Sequence, residues 1–89
     1  MNIEYTGKFK KNFRKRISVN KNLIDLFEIK LEKFIENPFL PELKTHKLSG
    51  RLKGFWAFSV AHDCRVVFSF EDNNKTAILS DIGSHDEVY

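Results

Sequence analysis

The stretch CRVVFSF, residues 64–70, alternates between two sets of side chains and predicts a β-strand. Its even-numbered positions are all apolar, whereas its odd-numbered positions include Arg65 and Ser69 around a single valine. A period of two is typical of a strand with one face in a hydrophobic core. Arg65 therefore stands inside the most apolar strand of the chain, on the face that points away from the predicted core.

The segments that flank this strand have the same period and are separated from it by polar turns. The turn at 61–63 is short, and the turn at 72–75 is rich in residues that tolerate positive φ. A glycine interrupts the first of the flanking strands. The further strands predicted here are 46–52 with a break near Gly50, 54–60 and 76–82.

The N-terminal part predicts a short strand over 3–6 followed by two helices, 7–16 and 23–36. Phe9 and Phe13 lie one helical turn apart on the first helix. The second helix ends before Pro38, because the residue before a proline is excluded from the α region. The fold class is thus α+β, of order β-α-α-β-β-β, with a helix hairpin packed on one face of a twisted antiparallel sheet.

The chain has 89 residues and predicts a single domain over residues 1–89. Cys64 is the only cysteine, so no disulfide can form within the chain. We find neither the apolar run of a secretory signal nor the ~20 apolar residues that a membrane span needs. These features predict a cytoplasmic protein without a membrane partner.

Charge is distributed unevenly along the chain. Residues 1–53 contain thirteen Lys and Arg against six Asp and Glu, whereas residues 54–89 contain two against six. A strongly basic half favours the capture of a polyanion such as RNA. A solvated helical surface is the alternative explanation, and charge alone does not decide between them.

Arg65 is the first candidate for chemistry. On a rigid strand, its planar guanidinium can bind a phosphate and stabilise charge that develops in a transition state. The structural alternative is a solvent-facing arginine that pairs with a neighbour such as Asp81.

Two histidines can supply proton transfer, because imidazole titrates near neutral pH. His85 follows Gly83 and Ser84 just after the last strand, where Asp86 or Glu87 can orient it. The alternative is an ordinary surface residue. His46 lies beside three cations, Lys44, Lys47 and Arg51. The alternative is that it belongs to a polar edge strand whose charges prevent pairing with a strand of another molecule.

Known metal and nucleotide motifs are absent. The three histidines are dispersed, without the spacing of a metal site. The four glycines are scattered, and the chain has no Gly-Lys-Ser/Thr element of a phosphate-binding loop. Cations with histidine, without a cofactor, suit RNA cleavage in which the adjacent 2′-OH is the nucleophile. The expected products are a 2′,3′-cyclic phosphate and a 5′-OH end.

Three motifs make the chain resemble the RelE/ParE superfamily of type II toxins, and within it the RelE/YafQ branch. They are HKLSG at 46–50, DCRVVF at 63–68 and IGSHDEVY at 82–89. The resemblance implies a metal-independent mRNA endoribonuclease that acts on the ribosome, needs no cofactor and is neutralised by a cognate antitoxin. Operator DNA would be contacted only through that antitoxin.

Family roles can be carried over to matching positions. The resemblance implies catalytic roles for four residues, His46, Asp63, Arg65 and His85. Predicted substrate contacts are Lys44, Lys47, Arg51, Lys53 and the C-terminal aromatic Tyr89, which can stack on a base.

The chain departs from the YafQ pattern in three places: Ser59 replaces a histidine, Cys64 a tryptophan and Asp81 an arginine. A carboxylate at position 81 would repel a phosphate unless a cation neutralises it. Two alternatives to the nuclease therefore stay open. One is a non-enzymatic inhibitor of gyrase like ParE, and the other is a catalytically degenerate toxin that acts as an antitoxin-binding co-repressor.

Overall fold

A computed structural model describes residues 1–89. The chain forms a five-stranded sheet with a helix pair on one side and a short C-terminal helix. The elements are β1 (Asn2–Tyr5), α1 (Gly7–Asn12), α2 (Lys21–Glu36), β2 (His46–Lys47), β3 (Trp56–Ala61), β4 (Cys64–Glu71), β5 (Thr76–Gly83) and α3 (His85–Val88).

Helix α1 begins where the sequence suggests, because the Thr6 side chain accepts a hydrogen bond from the backbone N–H of Phe9 (3.0 Å). It continues as a π-helical segment over Phe13–Ile17. Asn20 caps α2 in the same way, accepting from the N–H of Leu23 (3.3 Å). Both helices of the hairpin are therefore capped at their N-termini by a side chain.

The strand order is β1-β5-β4-β3-β2, so the strand that contains Arg65 lies in the middle of the sheet. Neighbouring strands are antiparallel except for β1 and β5, which are parallel. The parallel pair departs from the antiparallel expectation in this one respect. It is possible because β1 and β5 are far apart in sequence, and no short hairpin dictates their relative direction. The α+β fold class is confirmed.

The core lies between the helix hairpin and one sheet face. Phe34 is fully buried and packs against Phe58 (ring centroids 4.5 Å apart) and Phe68 (4.9 Å). Phe27 joins the two helices through Phe13, at 5.1 Å. Such aromatic pairs add to the burial of their apolar area, which gives a small domain a dense core.

Helix α3 covers part of the opposite sheet face. Its Val88 is buried, as are Ala57 and Val67, and all three lie outside the main core cluster. Ala57 and Val67 are cross-strand partners, so their side chains share a face of the sheet. The sequence predicted only a loop here, yet Ser84 and Glu87 form a reciprocal capping box that starts a helix.

Asp81 is buried near the C-terminal end of β5, beyond the residues that pair with β1, and is held by α1 and the π-helical segment after it. The side-chain amide of Asn12 donates to its Oδ1 at 2.7 Å, and Nη1 of Arg16 lies 3.3 Å from the same oxygen. A β-bulge at this point shifts the register, so Val67 pairs with Asp81 and Phe68 with Leu79. The carboxylate is therefore neutralised within the fold.

The predicted strand 46–52 is wrong in length. Only His46 and Lys47 pair with β3, and the chain then forms a 3₁₀ turn over Gly50–Leu52. Gly50 has φ +66°, a left-handed conformation that ends the strand because it turns the backbone out of the sheet. No helix of this fold has the length and apolarity to cross a membrane.

Candidate functional site

The register of β4 and β5 brings the two best candidate residues to one place. Arg65 pairs with Gly83, the last residue of β5. Because the strands are antiparallel, the residues that follow Gly83 lie level with those that precede Arg65. His85 and Asp63 are thereby neighbours although they are distant in sequence.

Asp63 lies between Arg65 and His85. Its Oδ1 accepts a hydrogen bond from the backbone N–H of His85 at 3.1 Å. The same oxygen lies 3.8 Å from Nη1 of Arg65, which is an ion pair but is too long for a hydrogen bond. The Arg65 guanidinium therefore makes no hydrogen bond to Asp63, and its side chain is 30% exposed, so its N–H donors are available to a ligand.

Tyr89 packs against the same two residues. Its ring centroid is 4.8 Å from that of His85, in an edge-on arrangement, and 6.0 Å from Cζ of Arg65. Arg51 donates a hydrogen bond to the backbone carbonyl oxygen of Tyr89. The Tyr89 hydroxyl is buried without a hydrogen-bond partner, and burial raises the pKa of this side chain. Tyr89 thus lies against both the guanidinium and the imidazole.

The imidazole of His85 faces solvent. Its side chain is 61% exposed, and Nδ1 lies 3.3 Å from Oδ1 of Asp86. The Ser84–Glu87 capping box holds the first turn of α3, with the N–H of Ser84 donating to Glu87 at 2.8 Å. An exposed ring on a fixed helix start can exchange a proton with a bound ligand.

His46 approaches Arg65 from the other side, across a groove of about 320 Å³ that we call the Arg65 groove. It pairs with Ala57, and Arg65 pairs with Ser59 in the same strand β3. Partners and alternate residues share a sheet face, so both side chains lie on the face opposite the core. His46 is exposed, and its Nδ1 lies 2.9 Å from the carbonyl oxygen of Lys44.

The Arg65 groove contains one carboxylate, Glu42, whose charge is compensated. Lys33 contacts it at 3.0 Å and Lys30 at 3.2 Å. Hydrogen bonds from Lys33 and then Lys30 hold the pKa of Glu42 below its usual value. Lys44 also lines the groove, so its net charge is positive.

The departures from the expected pattern acquire a structural account. Ser59 turns its hydroxyl to the carbonyl oxygen of Ala61 (3.1 Å) and leaves the groove wider than a histidine would. Cys64 is 2% exposed on the core face, and burial raises its pKa to about 11. The pairing of Arg65 with Asp81, considered as an alternative from the sequence, is wrong. Asp63 is the carboxylate near Arg65.

The candidate residues divide into two groups. Asp63, Arg65, His85 and Tyr89 form one cluster, with Arg51 at its rim and with His46 and Lys44 across the groove. Lys47 and Lys53 instead line a second groove. No three His, Cys, Asp or Glu side chains lie close enough to hold a metal ion.

The comparison with protein families identifies the chain. The model of "Bacterial toxin of type II toxin-antitoxin system, YafQ" matches residues 1–89. The chain belongs to the YafQ family. It is thus a toxin of a type II toxin–antitoxin system, as the resemblance in three short motifs predicted. A search of curated proteins finds no match.

Three solved structures of toxins have the same fold as this chain. YafQ from Escherichia coli strain BL21(DE3) is 22% identical, with a TM-score of 0.82, covering 99% of this chain and 97% of that one. YafQ in the E. coli DinJ-YafQ complex is 24% identical, with a TM-score of 0.79 and the same coverage of both chains. A YoeB/ParE toxin from Agrobacterium tumefaciens is 14% identical, with a TM-score of 0.79, covering 96% of this chain and 99% of that one. These likenesses confirm the fold.

Proposed function

We propose that this YafQ-family toxin is an endoribonuclease that cleaves mRNA, without a metal, by attack of the 2′-OH on the adjacent phosphate. The observation that carries the proposal is Arg65, a guanidinium on a central strand with no hydrogen-bonded protein acceptor and with a histidine on either side. An arginine in this position can bind a phosphate through two parallel N–H donors.

Each step of the reaction can be assigned to the chain's own residues. Arg65 binds the non-bridging oxygens of the scissile phosphate and stabilises the charge that develops on the phosphorane. One histidine takes the proton of the 2′-OH, and the other gives a proton to the leaving 5′-oxygen. His46 and His85 lie on opposite sides of Arg65, as an in-line reaction requires. The products are a 2′,3′-cyclic phosphate and a 5′-OH end.

Asp63 and Tyr89 orient the reacting groups. The Asp63 carboxylate fixes the start of α3 through the N–H of His85 and draws the guanidinium toward the same point. Tyr89 presses on both side chains, and what remains exposed of its ring is available to a base. Lys44 and Arg51 extend the positive surface around the groove.

The partners follow from the chemistry and from the family. The substrate is mRNA, presented on the ribosome, which places the toxin in the cytoplasm. E. coli YafQ has been solved in complex with DinJ. By analogy we propose a cognate antitoxin whose acidic or amphipathic segment covers the first helix, which has six cations between residues 8 and 16. Operator DNA is reached only through that antitoxin.

Primer extension on transcripts after induced expression tests the nuclease. We expect new 5′ ends with the wild type and a loss of ~10²–10⁴-fold in cleavage for Arg65→Ala, His85→Ala and His46→Ala. Arg14→Ala is the matched control, since Arg14 is exposed and lies on the first helical segment. The new ends should accept phosphate from a kinase directly, because they carry 5′-OH groups.

Two results would replace the proposal by its alternatives. Growth arrest with inhibited supercoiling and intact RNA would indicate a gyrase inhibitor like ParE. Expression without growth arrest, combined with antitoxin-dependent operator binding, would indicate a degenerate co-repressor.

A further inference from the structure

A second groove, which we call the aromatic groove, lies across the edge strand β2 from the Arg65 groove and is about twice as large, with a volume of about 650 Å³. Trp56 and Phe70 form its aromatic wall, and Lys47 and Lys53 stand at its rim. No Asp or Glu lines it. The groove therefore offers a ligand aromatic ring faces, and its charged lining residues are all positive.

The aromatic wall is partly open to solvent. Trp56 and Phe70 are half-buried and meet edge-on, with ring centroids 5.4 Å apart and an interplanar angle of 78°. Phe39 packs on Trp56 at 5.6 Å and is 51% exposed, so it extends the aromatic surface toward solvent. Nζ of Lys47 lies 5.5 Å from the Trp56 ring centroid.

The edge strand β2 lies between the two grooves. His46 pairs with Ala57 and Lys47 with Trp56, so consecutive residues point to opposite faces of the sheet. His46 faces the Arg65 groove, and Lys47 faces the aromatic groove. β2 has only two residues and no strand beyond it, so one extended ligand that passes around this edge can reach both grooves.

We propose that the aromatic groove binds the single-stranded RNA that flanks the cleaved phosphate, with a base stacked on Trp56 and phosphates on Lys47 and Lys53. This inference rests on the proposed nuclease activity, since it concerns the same substrate. A base–aromatic stack is stronger than an exposed cation–π contact, so the base displaces the Lys47 ammonium from the ring. The displaced ammonium then pairs with the neighbouring phosphate.

The chemistry of the groove favours RNA over other ligands. Its cations match a polyanion, and its aromatic faces stack on any base without requiring a sequence. A purely structural role, in which Trp56, Phe39 and Phe70 only close the end of the core, predicts no effect of the exposed lysines. An apolar protein partner would likewise not depend on Lys47.

The chain contains one tryptophan, so Trp56 fluorescence reports directly on this groove. The probe is a 2′-O-methyl RNA oligonucleotide, which lacks the nucleophilic hydroxyl and cannot be cut by the proposed mechanism. We expect saturable quenching of Trp56 by this single strand that weakens as salt is raised. In Lys47→Ala the affinity should fall and the slope of log affinity against log salt should decrease by about 0.7, the value for one lost phosphate contact.

Lys75→Ala is the matched control, because Lys75 is an exposed cation outside both grooves and should leave quenching unchanged. Trp56→Leu, followed by anisotropy of the labelled oligonucleotide, should bind roughly 5- to 150-fold more weakly, the range for one lost stack. Circular dichroism checks that this variant is folded. If it unfolds, quenching in Lys47→Ala decides alone.

Quenching that is absent, or equal in Lys47→Ala and Lys75→Ala, overturns the inference. The failure of this inference can be told apart from failure of the nuclease. Cleavage of RNA without Trp56 quenching would refute only RNA binding in the aromatic groove. Quenching without cleavage would refute only the catalytic proposal.

Discussion

Removal of the Asp81 carboxylate should destabilise the protein more than any other single change at a charged residue. Asp81 is 4% exposed, and its Oδ1 accepts from the Asn12 amide at 2.7 Å and from the N–H of Ile82 at 2.9 Å. The same oxygen is 3.3 Å from Arg16, and Lys8 lies 3.5 Å from Oδ2. Asp81→Ala leaves the Asn12 amide and the Ile82 N–H without this acceptor. Arg16 loses one partner and keeps the carbonyl oxygen of Ile82 at 3.1 Å.

The size of the effect follows from these contacts. Hydrogen bonds to a charged group contribute ~1.5–3 kcal/mol each, and breaking a buried pair costs ~3–5 kcal/mol. Arg16 is 22% exposed, so water can partly solvate it, and we take the lower end of that range. We expect a loss of about 3 kcal/mol out of the ~4–13 kcal/mol that a domain of this size has. The melting temperature should fall by roughly 12–24 °C.

Urea unfolding, followed by Trp56 fluorescence, measures this free energy. Asp81→Asn should lose less, about 1–2 kcal/mol, because the amide oxygen can still accept from Asn12 while the charge is lost. Asp86→Asn is the control, since the Asp86 side chain is fully exposed and should not change stability. A loss below ~1 kcal/mol for Asp81→Ala would refute the view that this network supports the fold.

Two further predictions concern the neighbourhood of the site. In Gly83→Ala the new Cβ would lie 2.8 Å from Oε1 of Glu87 and 2.9 Å from Nη1 of Arg16. We expect the free energy of unfolding in urea to fall by ~1–2 kcal/mol, because the cap of the last helix is displaced. Gly7→Ala is the control and should not change stability, since a Cβ there would meet nothing within 4 Å. Equal stability of the two variants would contradict this prediction. Burial raises the pKa of Cys64 from 9.0 to about 11, so the unfolded chain loses this proton first and stability falls between those two pH values. Cys64→Ala should lack this part of the alkaline decline, on the order of 2–3 kcal/mol, and parallel pH curves of wild type and variant would rule it out.

Much of the fold was predictable from local sequence patterns. The alternation over residues 64–70 is the strand β4, and the helices lie within a few residues of their predicted ranges. The C-terminal helix was missed although Ser84 and Glu87 have the spacing of a capping box, a signal that the sequence does contain. The strand 46–52 was overestimated because the left-handed Gly50 outweighs the strand preference of its neighbours.

The candidate site was predictable only in part. Residue types indicated Arg65 and His85, but Lys47 and His46 are adjacent and equally polar, and their sequence does not show that they face different grooves. The compensation of Asp81 by Asn12 and Arg16 was also hidden, since these residues are more than sixty positions away.

The sequence by itself determined which segments are strands and helices and which of their faces are apolar, because both depend on the spacing of near neighbours along the chain. Only the tertiary structure decided that Arg65 lies level with Gly83 and that Asp81 turns toward the first helix. Strand register and the bulge in β5 minimise the free energy of the whole packed domain, and no short stretch of sequence contains that sum.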